Sequence, residues 1–138
     1  MIEPPVDHAG LEVLTRDECD GLLADTVVGR IAFVADGEPV VFPVTYRLHR
    51  GSIVFRTTVG AKLEAAGRGA PVAFEIDGWD ESAHRGWSVL VKGVASEVED
   101  GEEAAELFAL GLRPWAEATE RRRWVKIRPE EISGRRIV

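Results

Sequence analysis

GRIAFVADGEPVVFPVTYRLHRGSIVFRTT, residues 29–58, decides how this chain folds. Its apolar residues come in short runs rich in Val, Ile and Phe, each too brief for a helix. Gly29–Ala35 reads as a strand. Asp36-Gly37 follows, a pair that readily takes the positive φ angles of a type I′ hairpin turn. Val40–Leu48 is then the return strand, Arg50-Gly51 a second turn, and Ser52–Thr58 a third strand. Pro43 has no N–H to give a ladder, so it marks an edge or a bulge where a ligand can approach the backbone.

The same rhythm continues downstream. Ala61–Ala66 is a short helix closed by Gly67, and Ala70–Asp77 is a fourth strand. Gly78–Gly86 reads as a polar loop containing Trp79 and His84. Trp87–Val98 is a long fifth strand whose Gly93 predicts a bend or bulge. Asp100–Leu112 reads as an acidic helix ended by Arg113-Pro114-Trp115. Trp124–Arg128 alternates as a sixth strand, and Pro129–Val138 reads as a basic tail with a short turn over Glu130–Ser133. Upstream, residues 1–13 form a loose lead-in. Thr15 and Glu18 make a capping box that starts a helix over Thr15–Asp25. Leu14 is placed to staple against Cys19, and the buried Cys19 thiol reads as inert. Strands in close succession, helices between them and a mid-strand Gly predict a single mainly-β domain with short helices. The expected form is a small antiparallel barrel; a half-open sheet packed on helices is the alternative.

Composition bounds the function. The chain has 138 residues, 45% hydrophobic and 30% charged, with a net charge of −7. That balance argues against a general nucleic-acid binder, which needs positive charge for phosphates. One cysteine fits a reducing, cytoplasmic setting. No apolar run approaches a membrane span, so no membrane partner is expected. His8, His49 and His84 are scattered, which predicts no metal site. Acidic residues cluster over 97–106 and basic ones over 121–136, mostly as solvated faces.

Candidate chemistry concentrates where the third strand ends. Arg56, Thr57, Thr58 and Lys62 put two cations and two hydroxyls around the start of a short helix. Helix starts favour anions, so the cations sit badly there unless a phosphate lies between them. Two ordinary surface cations are the other reading, and this stretch alone leaves both open. Trp87-Ser88 begins another strand, and Pro43-Val44-Thr45-Tyr46 offers a wall for a flat ring. A phosphorylated heterocycle wants both features. Glu75 and Asp77 share a strand face, where acid–base work competes with plain solvation, and Tyr46 on a strand is more often packing than a proton donor.

Gly-Arg-Ile-Ala-Phe (29–33), Pro-Val-Thr-Tyr (43–46), Phe-Arg-Thr-Thr-x-Gly-x-Lys (55–62), Val-Ala-Phe-Glu-Ile-Asp (72–77) and Gly-Trp-Ser-Val-Leu-Val-Lys-Gly (86–93) occur in that order. Together they resemble the pyridoxamine 5′-phosphate oxidase-like, FMN-binding split-barrel proteins. The nearest group is the small actinobacterial members akin to nitroimidazole-resistance proteins. The resemblance implies a six-stranded antiparallel split β-barrel working as a homodimer, with FMN at the interface. It implies that Arg56, Thr57, Thr58 and Lys62 hold the phosphate. Pro43, Val44, Thr45, Tyr46 and Phe55 would line the ring, and Trp87 and Ser88 would reach the cofactor from this chain or its partner. The expected activity is flavin-dependent redox of an unknown small molecule, with a nicotinamide electron donor and no side chain marked as the acid or base. A deazaflavin-dependent reductase, and a non-catalytic flavin-binding or sensing module, are the alternatives.

Overall fold

A computed structural model describes residues 5–57, 68–98, 101–111 and 123–137. Its strands are β1 (Glu12–Val13), β2 (Val28–Ala35), β3 (Glu38–His49), β4 (Ser52–Thr57), β5 (Arg68–Asp80), β6 (Arg85–Val98) and β7 (Arg123–Arg136). Among the described residues two helices accompany them, α1 (Arg16–Asp25) and α2 (Glu102–Phe108). The expected helix 61–66, Thr58, Asp100, Leu112 and the Arg113-Pro114-Trp115 ending lie outside the described residues.

The strands close into a ring in the order β7-β4-β3-β2-β5-β6 and back to β7, with every ladder antiparallel and β1 added at the far end of β7. Six strands thus form the expected barrel. Trp124 on β7 lies opposite Arg56 on β4. Extending the β4–β3 register by one residue past Tyr46–Phe55 and the β2–β5 register by two past Arg30–Glu75, the path runs through Thr45, Val28, Asp77 and Ser88 and returns to β7 at Arg135, eleven residues along the same strand (135 − 124). A bulge absorbs one residue of that stagger, so the strands tilt steeply about the barrel axis. The bulge falls where Gly93 predicts it. Lys92 faces Glu131, Gly93 faces Pro129, and Glu130 is the extra residue. A Cβ on Gly93 would lie 2.2 Å from the Arg128 carbonyl oxygen, which is why only glycine lets the strands come this close.

Local signals explain the turns. Asp36 and Gly37 have φ of 52° and 76°, and Arg50 and Gly51 have 51° and 80°, the positive pairs of type I′ hairpins. At α1 the Thr15 hydroxyl accepts from the Glu18 N–H at 3.1 Å, while the Glu18 carboxylate accepts from the Thr15 N–H at 3.0 Å. Both halves of the capping box are made.

Two sequence expectations are corrected. Gly78–Asp80 and Arg85-Gly86 belong to a long β5–β6 hairpin, so the polar loop shrinks to the turn Glu81–His84. Trp87 faces Gly78, and Trp79 faces Gly86; each indole covers the bare backbone opposite, which holds the ladder together beyond Asp77. Residues 129–136 are likewise not a tail. They continue β7 along β6 as far as Arg136, because the fourteen residues of β6 present a partner for the whole length.

The barrel interior follows the period of two along each strand. Ile31, Phe33, Tyr46, Phe55, Phe74, Ile76, Val89, Val91 and Ile127 point inward, and Cys19 and Leu23 of α1, with Leu14 just before its cap, close one end. Tyr46 and Phe74 meet edge to face, with ring centroids 4.9 Å apart. Gly29 gives that Phe74 ring its room, since a Cβ there would fall 2.2 Å from Cζ. A smaller cluster, Val54, Val98, Leu107 and Trp124, lies outside β4 under α2. Lys126 bonds Glu103 at 3.0 Å and Arg50 bonds Glu106 at 3.0 Å, so part of the segregated charge pins α2 to the barrel. Arg135 likewise ties β7 to Asp7, and Arg136 ties it to Glu12 and Glu18. Cys19 is fully buried, and burial pushes its thiol pKa up, in line with an inert group.

Candidate functional site

Alternation along β4 separates the two expected phosphate contacts. Ile53, Phe55 and Thr57 face the interior; Val54 and Arg56 face out. The Arg56 guanidinium lies 5.4 Å from the Phe108 ring centroid and 5.7 Å from that of Trp124. Two aromatic faces therefore hold the cation at the outer surface. Thr57 is buried on the opposite face. Thr58 and Lys62 lie outside the described residues.

The expected ring wall divides the same way. Pro43 and Thr45 face outward and are half-buried, beside a stretch of β3 that β4 does not reach. Val44, Tyr46 and Phe55 are in the core, so their side chains do not line an outer groove. The Tyr46 hydroxyl donates to the Leu23 carbonyl at 2.6 Å. Burial pushes its pKa up to about 12. It is packing and anchorage rather than a proton donor. On the side-chain level the wall reduces to Pro43 and Thr45, because a strand shows an outer groove only every second residue.

Trp87 and Ser88 line a cavity of about 350 Å³ at the far end of the barrel, together with Trp79, Asp77, Arg135 and Arg136. That volume lies at the lower end of small-molecule sites. Trp87 leans inward onto the core, and Ser88 faces out opposite Asp77. Trp79 is 57% exposed and meets His84 edge to face.

Sequence reasoning missed Arg30. Its Nη1 donates to Glu75 at 3.1 Å and to Asp77 at 3.1 Å, so one guanidinium nitrogen sits between two carboxylates. Glu75 is pushed up to about 7, first by burial, then by Asp77 beside it, and only partly offset by Arg30. A carboxyl that titrates near neutrality is equipped for proton transfer. The signal was present in the sequence as polar Arg30 between inward Gly29 and Ile31, but its cross-strand partners lie 45 and 47 residues away.

All these groups lie on one outer band: Arg56, then Thr45 and Pro43, then Arg30, then Glu75 and Asp77, then Ser88. Four strand steps of about 4.8 Å separate Arg56 from Ser88, roughly 19 Å along a convex surface. Side chains diverge on such a surface. A single chain brings together Arg56 with its two rings, and separately Ser88 with the cavity, but not the two halves.

A sequence model of the pyridoxamine 5′-phosphate oxidase family matches residues 15–136. An uncharacterized protein of Mycobacterium tuberculosis, Rv0080, is 38% identical over 130 residues, covering 91% of this chain and 84% of its own. Among solved structures, the FAD-binding protein of Mycobacterium smegmatis is 36% identical with a TM-score of 0.75, covering 91% of this chain and 99% of that one. A Corynebacterium glutamicum protein, provisionally assigned as a pyridoxamine 5′-phosphate oxidase, is 30% identical with a TM-score of 0.80, covering 93% and 98%.

Proposed function

This chain belongs to the pyridoxamine 5′-phosphate oxidase family, and from that premise we propose that it binds a flavin, FMN, at a site shared by two copies and uses it for redox of a small molecule. The observation that carries this is the outer band running from Arg56 to Ser88, whose two halves lie too far apart on a convex surface to serve one ligand unaided. In a homodimer the Arg56 end of one chain meets the Ser88 end of the other. Arg56 would hold the phosphate, joined by Thr58 and Lys62, while the inward Thr57 would anchor the strand beneath them. Its fit is electrostatic: a cation fixed by two aromatic rings is oriented before the ligand arrives. Pro43 and Thr45 would flank the ring, and Trp87 and Ser88 of the second copy would cover it.

A bound flavin supplies hydride and electron transfer. The chain's own part is to hold the phosphate, exclude water with Trp87 and Pro43, and keep a proton available at Glu75. A nicotinamide donor in the cytoplasm completes the proposal. Among the described residues no helix is long and apolar enough to cross a membrane.

The visible spectrum of the purified protein tests this. Bound flavin gives its two absorbance bands, and chromatography of the released cofactor separates FMN from FAD and from a deazaflavin. A colourless protein that takes up no added FMN refutes the proposal. Anaerobic mixing with nicotinamide donors then tests turnover: a bound flavin that never bleaches makes the protein a binding module.

A further inference from the structure

Val54 and Arg56 both face outward from β4, and α2 treats them differently. Val54 is fully buried under the helix, packed with Val98, Leu107 and Trp124. Arg56, two residues on, is only half-buried, and the last residue of α2, Phe108, reaches its guanidinium. The two rings on Arg56 are not equivalent. Trp124 is 6% exposed and belongs to the cluster under α2, so packing accounts for it. Phe108 is 65% exposed. A ring so far in water adds little to a core, and it lies against the guanidinium instead.

The helix is fixed well enough to carry such a contact. Leu107, the residue before Phe108, is fully buried. Lys126 of β7 donates to both oxygens of Glu103, at 3.0 Å and 3.2 Å. From the β3–β4 turn Arg50 donates to Glu106, and the His49 Nε2 lies 3.3 Å from the other oxygen of that carboxylate. Arg50 is exposed, so its pair adds little; Leu107 carries most of the docking.

An arginine side chain loses its rotamer freedom when it grips an anion, and one that is already held loses less. Rings take up the faces of a guanidinium, while its N–H groups lie in the plane and donate from the edge. We infer that Phe108 is a positioning residue for Arg56: α2 docks on the barrel so as to hold this ring against the guanidinium, and that hold sets how tightly the chain grips a phosphate on the outer band. This rests on the reading of Arg56 as the phosphate contact and adds to it a ring and a helix that act through Arg56. The effect is confined to ligands that carry the phosphate. FMN and riboflavin share the flat ring and differ in that group, so loss of Phe108 weakens the first and spares the second.

The test titrates the full chain with FMN and with riboflavin, following flavin fluorescence. Phe108→Ala is expected to weaken FMN roughly three- to tenfold and to leave riboflavin within about twofold. Phe108→Tyr is expected to keep the wild-type FMN affinity. Phe108→Leu is expected to lose as much as Phe108→Ala, since it fills space but offers a cation no ring face. In an Arg56→Met background Phe108→Ala is expected to cost nothing more, because the ring acts only through the guanidinium. An unchanged FMN affinity in Phe108→Ala, where Arg56→Met does weaken FMN, overturns the inference and leaves the Arg56 reading standing. So do equal losses for FMN and riboflavin, a Phe108→Tyr variant as weak as Phe108→Ala, rescue by Phe108→Leu, or losses that add in the double variant. An unchanged FMN affinity in Arg56→Met overturns the phosphate reading itself, and this inference with it.

Discussion

Tyr46 is the single tyrosine of this chain, which turns its buried hydroxyl into a measurable quantity. In Tyr46→Phe the hydroxyl is lost and the Leu23 carbonyl loses its 2.6 Å donor. A net hydrogen bond is worth about 1 kcal/mol, and a buried carbonyl left without its partner raises the cost to about 1–3 kcal/mol. For a domain of this size that lowers Tm by roughly 3–9 °C. The wild type adds a second readout. The folded pKa of about 12 exceeds the ordinary 10.0, so the neutral phenol is the form the fold favours. The resulting stabilisation is complete below pH 10 and is lost as pH rises toward 12, at most about 2–3 kcal/mol. Tyrosinate absorbance near 295 nm follows the residue directly, since tryptophan does not ionise there. Native protein should titrate well above denatured protein. If the native phenol ionises near 10, or if Tyr46→Phe melts with the wild type yet loses its flavin, Tyr46 is a cofactor contact and the assignment to the core is wrong.

Four further outcomes follow from the geometry. Arg56→Met keeps the aliphatic stem between Phe108 and Trp124 but removes one charge-assisted phosphate contact; flavin affinity should fall by about 1.5–3 kcal/mol in a fluorescence titration, with little change in Tm. Mixing unfolded Arg56→Met with Ser88→Arg and refolding them together should restore roughly a quarter of the wild-type flavin capacity, because only mixed dimers contain an intact site; zero recovery refutes a shared site. Gly93→Ala drives a methyl against the Arg128 carbonyl, and calorimetry should register a loss of about 2 kcal/mol or more. Asp7 is held below its ordinary value chiefly by the Leu11 N–H, so the attachment of the N-terminal strand is present above 3.8 and is lost as the pH falls below it; pepsin cleavage within residues 5–13 should precede global unfolding.

Much of this protein was written locally. The Thr15–Glu18 capping box, the Asp36-Gly37 and Arg50-Gly51 turns and the Gly93 bulge each depend on a few neighbouring residues, so sequence alone located them. The barrel class followed, because strands joined by type I′ turns are antiparallel and alternate faces. The same alternation was available at Val44, Tyr46 and Phe55. Those residues were nonetheless expected at the ring, because the family motif names a stretch while the pleat shows only every second side chain. The loop expected over 78–86 and the tail expected over 129–138 failed for a different reason. Gly, polar and charged residues there lack an apolar period of their own. Residues 78–80 and 85–86 became strand because β5 and β6 pair right up to their shared turn, and 129–136 because β6 offers β7 a partner about forty residues away. Tertiary structure alone decided three things. It closed the ring with a stagger that returns to β7 eleven residues on, and it gathered Arg30, Glu75 and Asp77 round one nitrogen. It also set Arg56 and Ser88 at separate ends of one convex band. Each depends on which strands lie side by side, a nonlocal fact that no window of sequence contains.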